Sequence, residues 1–258
     1  MNLFIAPFVN ALFGLYYLVG DFGLSVILVT IIIRLVLLPL IWPSLKSAKK
    51  IKEIQPRLNK LKEKYGSDKQ ALAKAQMDLY KQEGINPLSG CLPQILQIVV
   101  LLLFFSAFNM VTGFSGGKGS VDQINNQLIP SFRIDENFKF DLNFLGSDLA
   151  TTPSGVFKQG INLNLVLPLF LLFGSGLLQF FSAKLMMPNT KIDEKIVEKT
   201  KDKEDDMMAA MRTQSLYMMP AMTIFIGWNF SLGLLLYWFT TSALMIGQQV
   251  LVNKVNKK

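Results

Sequence analysis

FGLSVILVTIIIRLVLLPLIWP, running from Phe22 to Pro43, decides the class of fold: 22 residues carrying one charge, Arg34. As a helix the run is about 33 Å long, enough to cross a hydrocarbon core of roughly 30 Å. Asp21 stands at its start, Thr30 lies one turn before Arg34, and Trp42 marks the far interface. Residues 21–43 are therefore read as a first membrane span.

On either side the composition changes. Residues 1–20 carry no charged side chain, and Phe4, Phe8, Leu12, Leu15 and Tyr16 recur at helical spacing with Asn2 and Asn10 off that face. This predicts a short extracytoplasmic helix lying in the interface. Residues 44–86 hold 11 Lys and Arg against five acids. Leu45, Ala48, Ile51, Ile54, Leu58, Leu61 and Tyr65 form one narrow helical stripe. Gly66, Ser67 and Asp68 read as a turn, and Leu72, Ala75, Leu79 and Ile85 continue on a second arm. The segment predicts a basic helical hairpin in water, with Pro56 starting a helical turn or kinking the first arm.

Further apolar runs place spans at 87–113, 161–187, 216–228 and 232–252, the last two joined by a tight turn at 228–231. Between them lie a loop at 114–160, a charged loop at 188–215 and a basic tail at 253–258. The 114–160 loop, with four basic and five acidic residues among scattered Gly, Ser, Asn and Pro, is expected to be extended, with little regular structure. Of the 26 basic residues, 21 fall in the hairpin, at Lys184, in the second charged loop and in the tail. Four lie in 114–160, and the last is Arg34. Basic loops stay cytoplasmic, which puts the N-terminus outside and the C-terminus inside, joined by five spans.

The chain has no His and one Cys. That removes His-based acid–base catalysis, a His/Cys zinc site and an internal disulfide framework. GFSGGKGS at 113–120 lacks phosphate-loop spacing, because Thr112 and Gly119 occupy the deciding positions. No pair of carboxylates lies within the spans, so proton coupling has no carrier. No enzymatic activity, cofactor or metal is expected.

Arg34 is the most informative residue. An arginine at the middle of a span costs about 2.5–3.5 kcal/mol on insertion scales and persists only against protein or a water-filled cavity. Backbone carbonyls in a closed bundle would satisfy it; the arrangement expected here is an unpaired Arg in a wet cavity open to a substrate. Thr30, at i−4, would line the same face. Gln94 and Gln97 share a face of the second span, and Gln248 and Gln249 lie on the fifth; such residues are commonly interhelical glue, but with Arg34 they would wet a groove. Six of the 12 Met fall between Met207 and Met222, a composition that suits varied apolar contacts or ordinary packing.

Several strings resemble the YidC family of membrane protein insertases in its short five-span form, from about Phe22 to Asn253. They are TIIIRLVLLP at 30–39, Lys64-Tyr65, Leu79-Tyr80-Lys81, NPLSGCLPQILQ at 86–97, GLLLYW at 233–238 and Gln248-Gln249. The resemblance implies an all-α membrane protein: five transmembrane helices around a hydrophilic groove, with a cytoplasmic helical hairpin. Arg34 matches the groove arginine, and Thr30, Gln97 and Trp238 fall at positions of the groove or of substrate contact. The chain departs from the family pattern at Ser242-Ala243, where Ser-Asn is frequent, and in lacking a Pro at 228–231. The implied function is insertion of nascent membrane proteins into the lipid bilayer, with release sideways and without nucleotide hydrolysis. The implied partners are the ribosome, the signal recognition particle or its receptor, and the Sec translocon, with no direct DNA binding. A small anion channel or transporter built on Arg34 is the alternative.

Overall fold

The computed structural model describes residues 4–65, 68–86, 92–117, 119–186 and 213–255. Its helices are α1 (Ala6–Val19), α2 (Phe22–Tyr65), α3 (Lys69–Gln82), α4 (Leu92–Ser115), α5 (Val121–Asn125), α6 (Pro153–Lys158), α7 (Val166–Met186), α8 (Met219–Gly227) and α9 (Leu232–Val255). Two short strands, β1 (Asn143–Phe144) and β2 (Ser147–Asp148), form an antiparallel pair. Among the described residues, α2, α4, α7 and α9 are long and apolar enough to cross a membrane. Large apolar side chains stay exposed along them, including Ile32, Leu35 and Val36 on α2 and Phe170, Phe173 and Leu177 on α7. Lipid is the solvent that accounts for such a surface. The protein is an all-α membrane protein.

The expected fourth span corresponds to a five-residue π turn, Gln214–Met218, leading into the nine-residue α8. Alone this is shorter than the roughly 20 residues a span needs. Residues 187–212, with most of the second charged loop and Met207, Met208 and Met211, lie outside the described residues, as do the expected start of the second span at 87–91 and the tail end at 256–258.

The first span and the first hairpin arm are one helix of 44 residues that runs through Pro39, Pro43 and Pro56. A proline removes one N–H and disturbs the carbonyl four residues back. All three are exposed, so the disturbance falls on the outer face and the packed face stays regular. Beyond the bundle, α2 and α3 share a small core of Ile54, Leu58, Leu79 and Ile85 with Tyr80 packed against it. The Asp68 carboxylate accepts from the Ala71 backbone N–H at 3.0 Å to cap α3, and Arg57 pairs with Glu83 across the arms.

Residues 120–158 correct the expectation of an extended loop. They fold over one end of the bundle as a cap. Ser120 and Gln123 form a capping box for α5. Ile124, Leu128, Ile134, Phe140, Leu142, Phe144 and Leu149 are buried in the main core beside Phe13, Phe22, Phe104 and Phe108. Phe140 meets Phe13 edge-on at 5.0 Å and Phe22 at 5.9 Å. The carbonyls of Thr151 and Leu149 accept from the Leu232 and Gly233 N–H groups at 2.8 and 2.9 Å, satisfying orphan donors of the first turn of α9. Helix α1 joins the same core through Val9, Leu12 and Phe13, so it does more than lie in the interface. Asn10 ties it to the cap, donating to the Gln127 carbonyl at 2.7 Å and accepting from the Ile129 N–H at 2.8 Å. At Gly233 a Cβ would fall within the ring of Phe108, so only glycine lets α9 approach α4 there.

Candidate functional site

Three spans meet around Arg34. Four α2 residues, Thr30, Arg34, Leu37 and Ile41, recur at three- and four-residue spacing and face Pro93, Gln97 and Val100 of α4 and Tyr237 and Thr241 of α9. The space between them is small, about 10 Å³ for a water-sized guest, which is room for about one water. It is open on one side. Toward the cap α4 is closely packed, with Phe104, Ala107, Phe108 and Val111 buried. Toward the hairpin the recess-facing Pro93, Leu96 and Gln97 of the same helix are only half-buried, so the seam between α2 and α4 loosens in that direction.

A chain of hydrogen bonds crosses the recess. The Arg34 Nη2 group donates to Gln97 Oε1, and Gln97 Nε2 donates to Tyr237 Oη at 3.1 Å. Tyr237 is 1% exposed and lies flat on Phe104, ring centres 4.5 Å apart at 13°. Among the described residues Arg34 has no carboxylate partner; the ion pairs found there, Lys49 with Glu53 and Arg57 with Glu83, belong to α2 beyond the span and to the hairpin. Of the five N–H donors of the guanidinium, one has a protein acceptor among the described residues. The Thr241 hydroxyl, in the same wall, is buried without a partner there. The Thr30 hydroxyl donates back to the Val26 carbonyl at 2.6 Å, which leaves it an acceptor toward the recess.

Of the residues singled out from sequence, Thr30, Arg34 and Gln97 come together. Gln94 lies exposed on α4 at the loose end of the seam. Trp238, one residue beyond Tyr237 and so rotated off the recess face, is half-buried against Phe230 at 5.9 Å. Gln248 is buried two turns from Thr241 toward the hairpin and does not line the recess. Sequence reasoning did not single out Tyr237 and Thr241. The signal for them was present: a tyrosine hydroxyl in mid-span needs a hydrogen-bond partner, and Thr241 follows it at i+4. Among the described residues no group of His, Cys, Asp and Glu is placed to hold a metal ion.

A family model described as 60Kd inner membrane protein matches residues 14–258, which include every residue of the recess. A protein of Fusobacterium nucleatum named membrane protein insertase YidC is 32% identical over 236 residues, covering 92% of this chain and 88% of that protein. The chain belongs to the YidC family. Similar YidC proteins include one from Pelobacter propionicus, 32% identical over 250 residues, and one from Streptomyces avermitilis, 31% identical over 236 residues. Against these the chain spans 38% and 51% of their lengths while 96% and 91% of it is matched. The range matched by the family model takes in the bundle, the hairpin and the cap, and the recess lies within it.

Proposed function

We propose that this protein is a membrane protein insertase. It receives hydrophilic flanks of nascent membrane proteins against Arg34, Gln97 and Tyr237 and releases their apolar helices sideways between α2 and α4 into lipid. The observation that carries this is the arginine in mid-span whose polar partner is a neutral amide. An arginine held for structure alone would be closed off by acids or carbonyls, whereas four of its donors remain available to a guest. The bridge it makes is also easy to exchange. Interhelical hydrogen bonds in membranes contribute about 0.6 kcal/mol on average, so a guest carbonyl or carboxylate displaces Gln97 at little cost. No bond is made or broken, and no nucleotide is consumed.

In this reading the segment 213–227 belongs to a fourth span, completing five. The 21-to-4 division of basic residues orients the hairpin and C-terminus to the cytoplasm and the cap and N-terminus outside. The hairpin would then meet the ribosome, the signal recognition particle or its receptor, with the Sec translocon as a lateral neighbour. An anion channel is disfavoured by the narrow recess and by the packed aromatic core between it and the cap. Purified protein in liposomes separates the two: it should insert a single-span test protein without passing chloride. Chloride flux without insertion would overturn the proposal.

A further inference from the structure

A second recess lies on the same seam of α2 and α9, nearer the hairpin, and takes no part in the site above. Ala48, Lys49 and Lys52 of α2, Leu185 of α7, and Gln249 and Val252 of α9 line about 30 Å³ of space for water-sized guests. Its polar groups are held in place. Lys52 Nζ donates to the Leu185 carbonyl at 3.3 Å, across the last turn of α7. The Lys49 side chain is 18% exposed, and its acid partner among the described residues, Glu53, stands 3.8 Å away with its own side chain 60% exposed. A pair that open to water neutralises little of the lysine charge. Gln249 is 6% exposed; its Nε2 donates to Ser182 Oγ at 2.9 Å, while its Oε1 is buried with no partner among the described residues.

A half-turn of that amide keeps the Ser182 bond, with the hydroxyl donating to Oε1, and turns the unpartnered acceptor into an N–H donor on a residue that lines the recess. Two lysines and an amide N–H then line one recess, the donor set for a phosphate. The depth fits as well. Lys46 stands over the Trp42 ring at 5.9 Å, and an aromatic paired with a lysine marks headgroup level; Lys49 follows within one turn. Exposed Leu251 and Val250 on α9 continue the lipid-facing surface up to the recess.

We propose that this recess binds the phosphate of an anionic phospholipid in the leaflet on the hairpin side. Lys49 and Lys52 pair with phosphate oxygens and Gln249 Nε2 donates a third hydrogen bond. The space admits about two oxygens, so the glycerol and acyl chains stay outside against Leu185, Val250 and Leu251. An anionic lipid is selected over a zwitterionic one because two lysines face one phosphate, and a choline group would add a third positive charge beside them. A lipid bound there clamps the ends of α7 and α9 to the middle of α2 at the base of the hairpin.

Native mass spectrometry of the full chain in detergent tests this, with phosphatidylglycerol, phosphatidylcholine and inorganic phosphate as probes. Phosphatidylglycerol should bind at least about ten-fold tighter than phosphatidylcholine. Lys49→Gln with Lys52→Gln should weaken it about thirty-fold. Lys49→Arg with Lys52→Arg should retain it, and Gln249→Leu should weaken it several-fold. Lys60→Gln with Lys74→Gln, on the exposed hairpin, should leave it unchanged. Equal binding of the two lipids, or equal weakening by the hairpin pair, overturns the site. Displacement of the lipid by millimolar inorganic phosphate overturns the lipid assignment in favour of a soluble anion. If the double Gln variant does not fold by circular dichroism, the Arg pair and Gln249→Leu carry the test.

Discussion

Tyr237 offers a perturbation that separates packing from polar bridging within one side chain. Its ring is fully buried and stacked on Phe104, while its hydroxyl accepts from Gln97. Tyr237→Ala removes both contributions: about 3–5 kcal/mol for an emptied aromatic site and about 0.5–1.5 kcal/mol for the stacked pair. Tyr237→Phe keeps the ring and removes only the acceptor. A net hydrogen bond contributes about 0.5–1.5 kcal/mol, and Gln97 sits beside space for about one water that can replace the hydroxyl. The loss should therefore be about 0.5–1 kcal/mol. Thermal unfolding in detergent, followed by circular dichroism, should show Tyr237→Ala severely destabilised and Tyr237→Phe within a few degrees of the parent. The comparison bears on function, because a recess that opens for substrate needs a weak bridge over a strong floor. If Tyr237→Phe destabilised the protein as much as Tyr237→Ala, the bridge would be a structural tie and the proposed exchange with substrate would fail.

Arg34→Leu removes an insertion cost of about 2.5–3.5 kcal/mol and leaves Gln97 Oε1 unpaired at about 1–3 kcal/mol, so unfolding should change little while liposome insertion falls several-fold. A variant that unfolds readily but inserts normally would place Arg34 in the scaffold instead. Gly233→Ala would drive a methyl into the Phe108 ring and should cost about 1–3 kcal/mol, whereas Gly247→Ala, with nothing within 4 Å, should be neutral or slightly stabilising; melting temperatures of the two variants check this. In the hairpin, burial pushes the Tyr80 phenol above its usual 10.0. The neutral form is favoured by folding, so the stability it contributes is full below pH 10 and declines as pH rises toward the folded value. Phenolate absorbance at high pH should show one fewer late-titrating tyrosine in Tyr80→Phe than in the parent. An unchanged late-titrating amplitude in that variant would mean the Tyr80 phenol is not shielded.

The features legible in the sequence were those with a single period or a single charge. Arg34 stood out because nothing near it in sequence neutralises it; Thr30 followed from helical spacing, and Gln97 was pointed to by the resemblance to the family. The hairpin was readable from the apolar spacing of its two arms, of which Ile54 and Leu58 on the first and Leu79 and Ile85 on the second form its core. The cap was missed although Phe138, Phe140, Leu142 and Phe144 alternate with Lys139, Asp141 and Asn143 at the strand period; the rest of its core, such as Ile134 and Leu149, has no such period and is buried only by tertiary contact with the bundle. Tyr237 was hidden inside an apolar run where its ring fits and its hydroxyl goes unremarked. The unbroken α2 was obscured by three prolines, since only the tertiary arrangement shows that all three face outward.

The most direct measurement of the central claim is site-specific crosslinking from two positions on α4 to a nascent single-span protein on stalled ribosomes. Gln97 faces the recess, and Leu102, 59% exposed, faces lipid. The nascent chain should be trapped at Gln97, several-fold less at Leu102, and less at Gln97 when Arg34→Leu is introduced. Equal trapping at both positions, or none at Gln97, would contradict a substrate path through the recess.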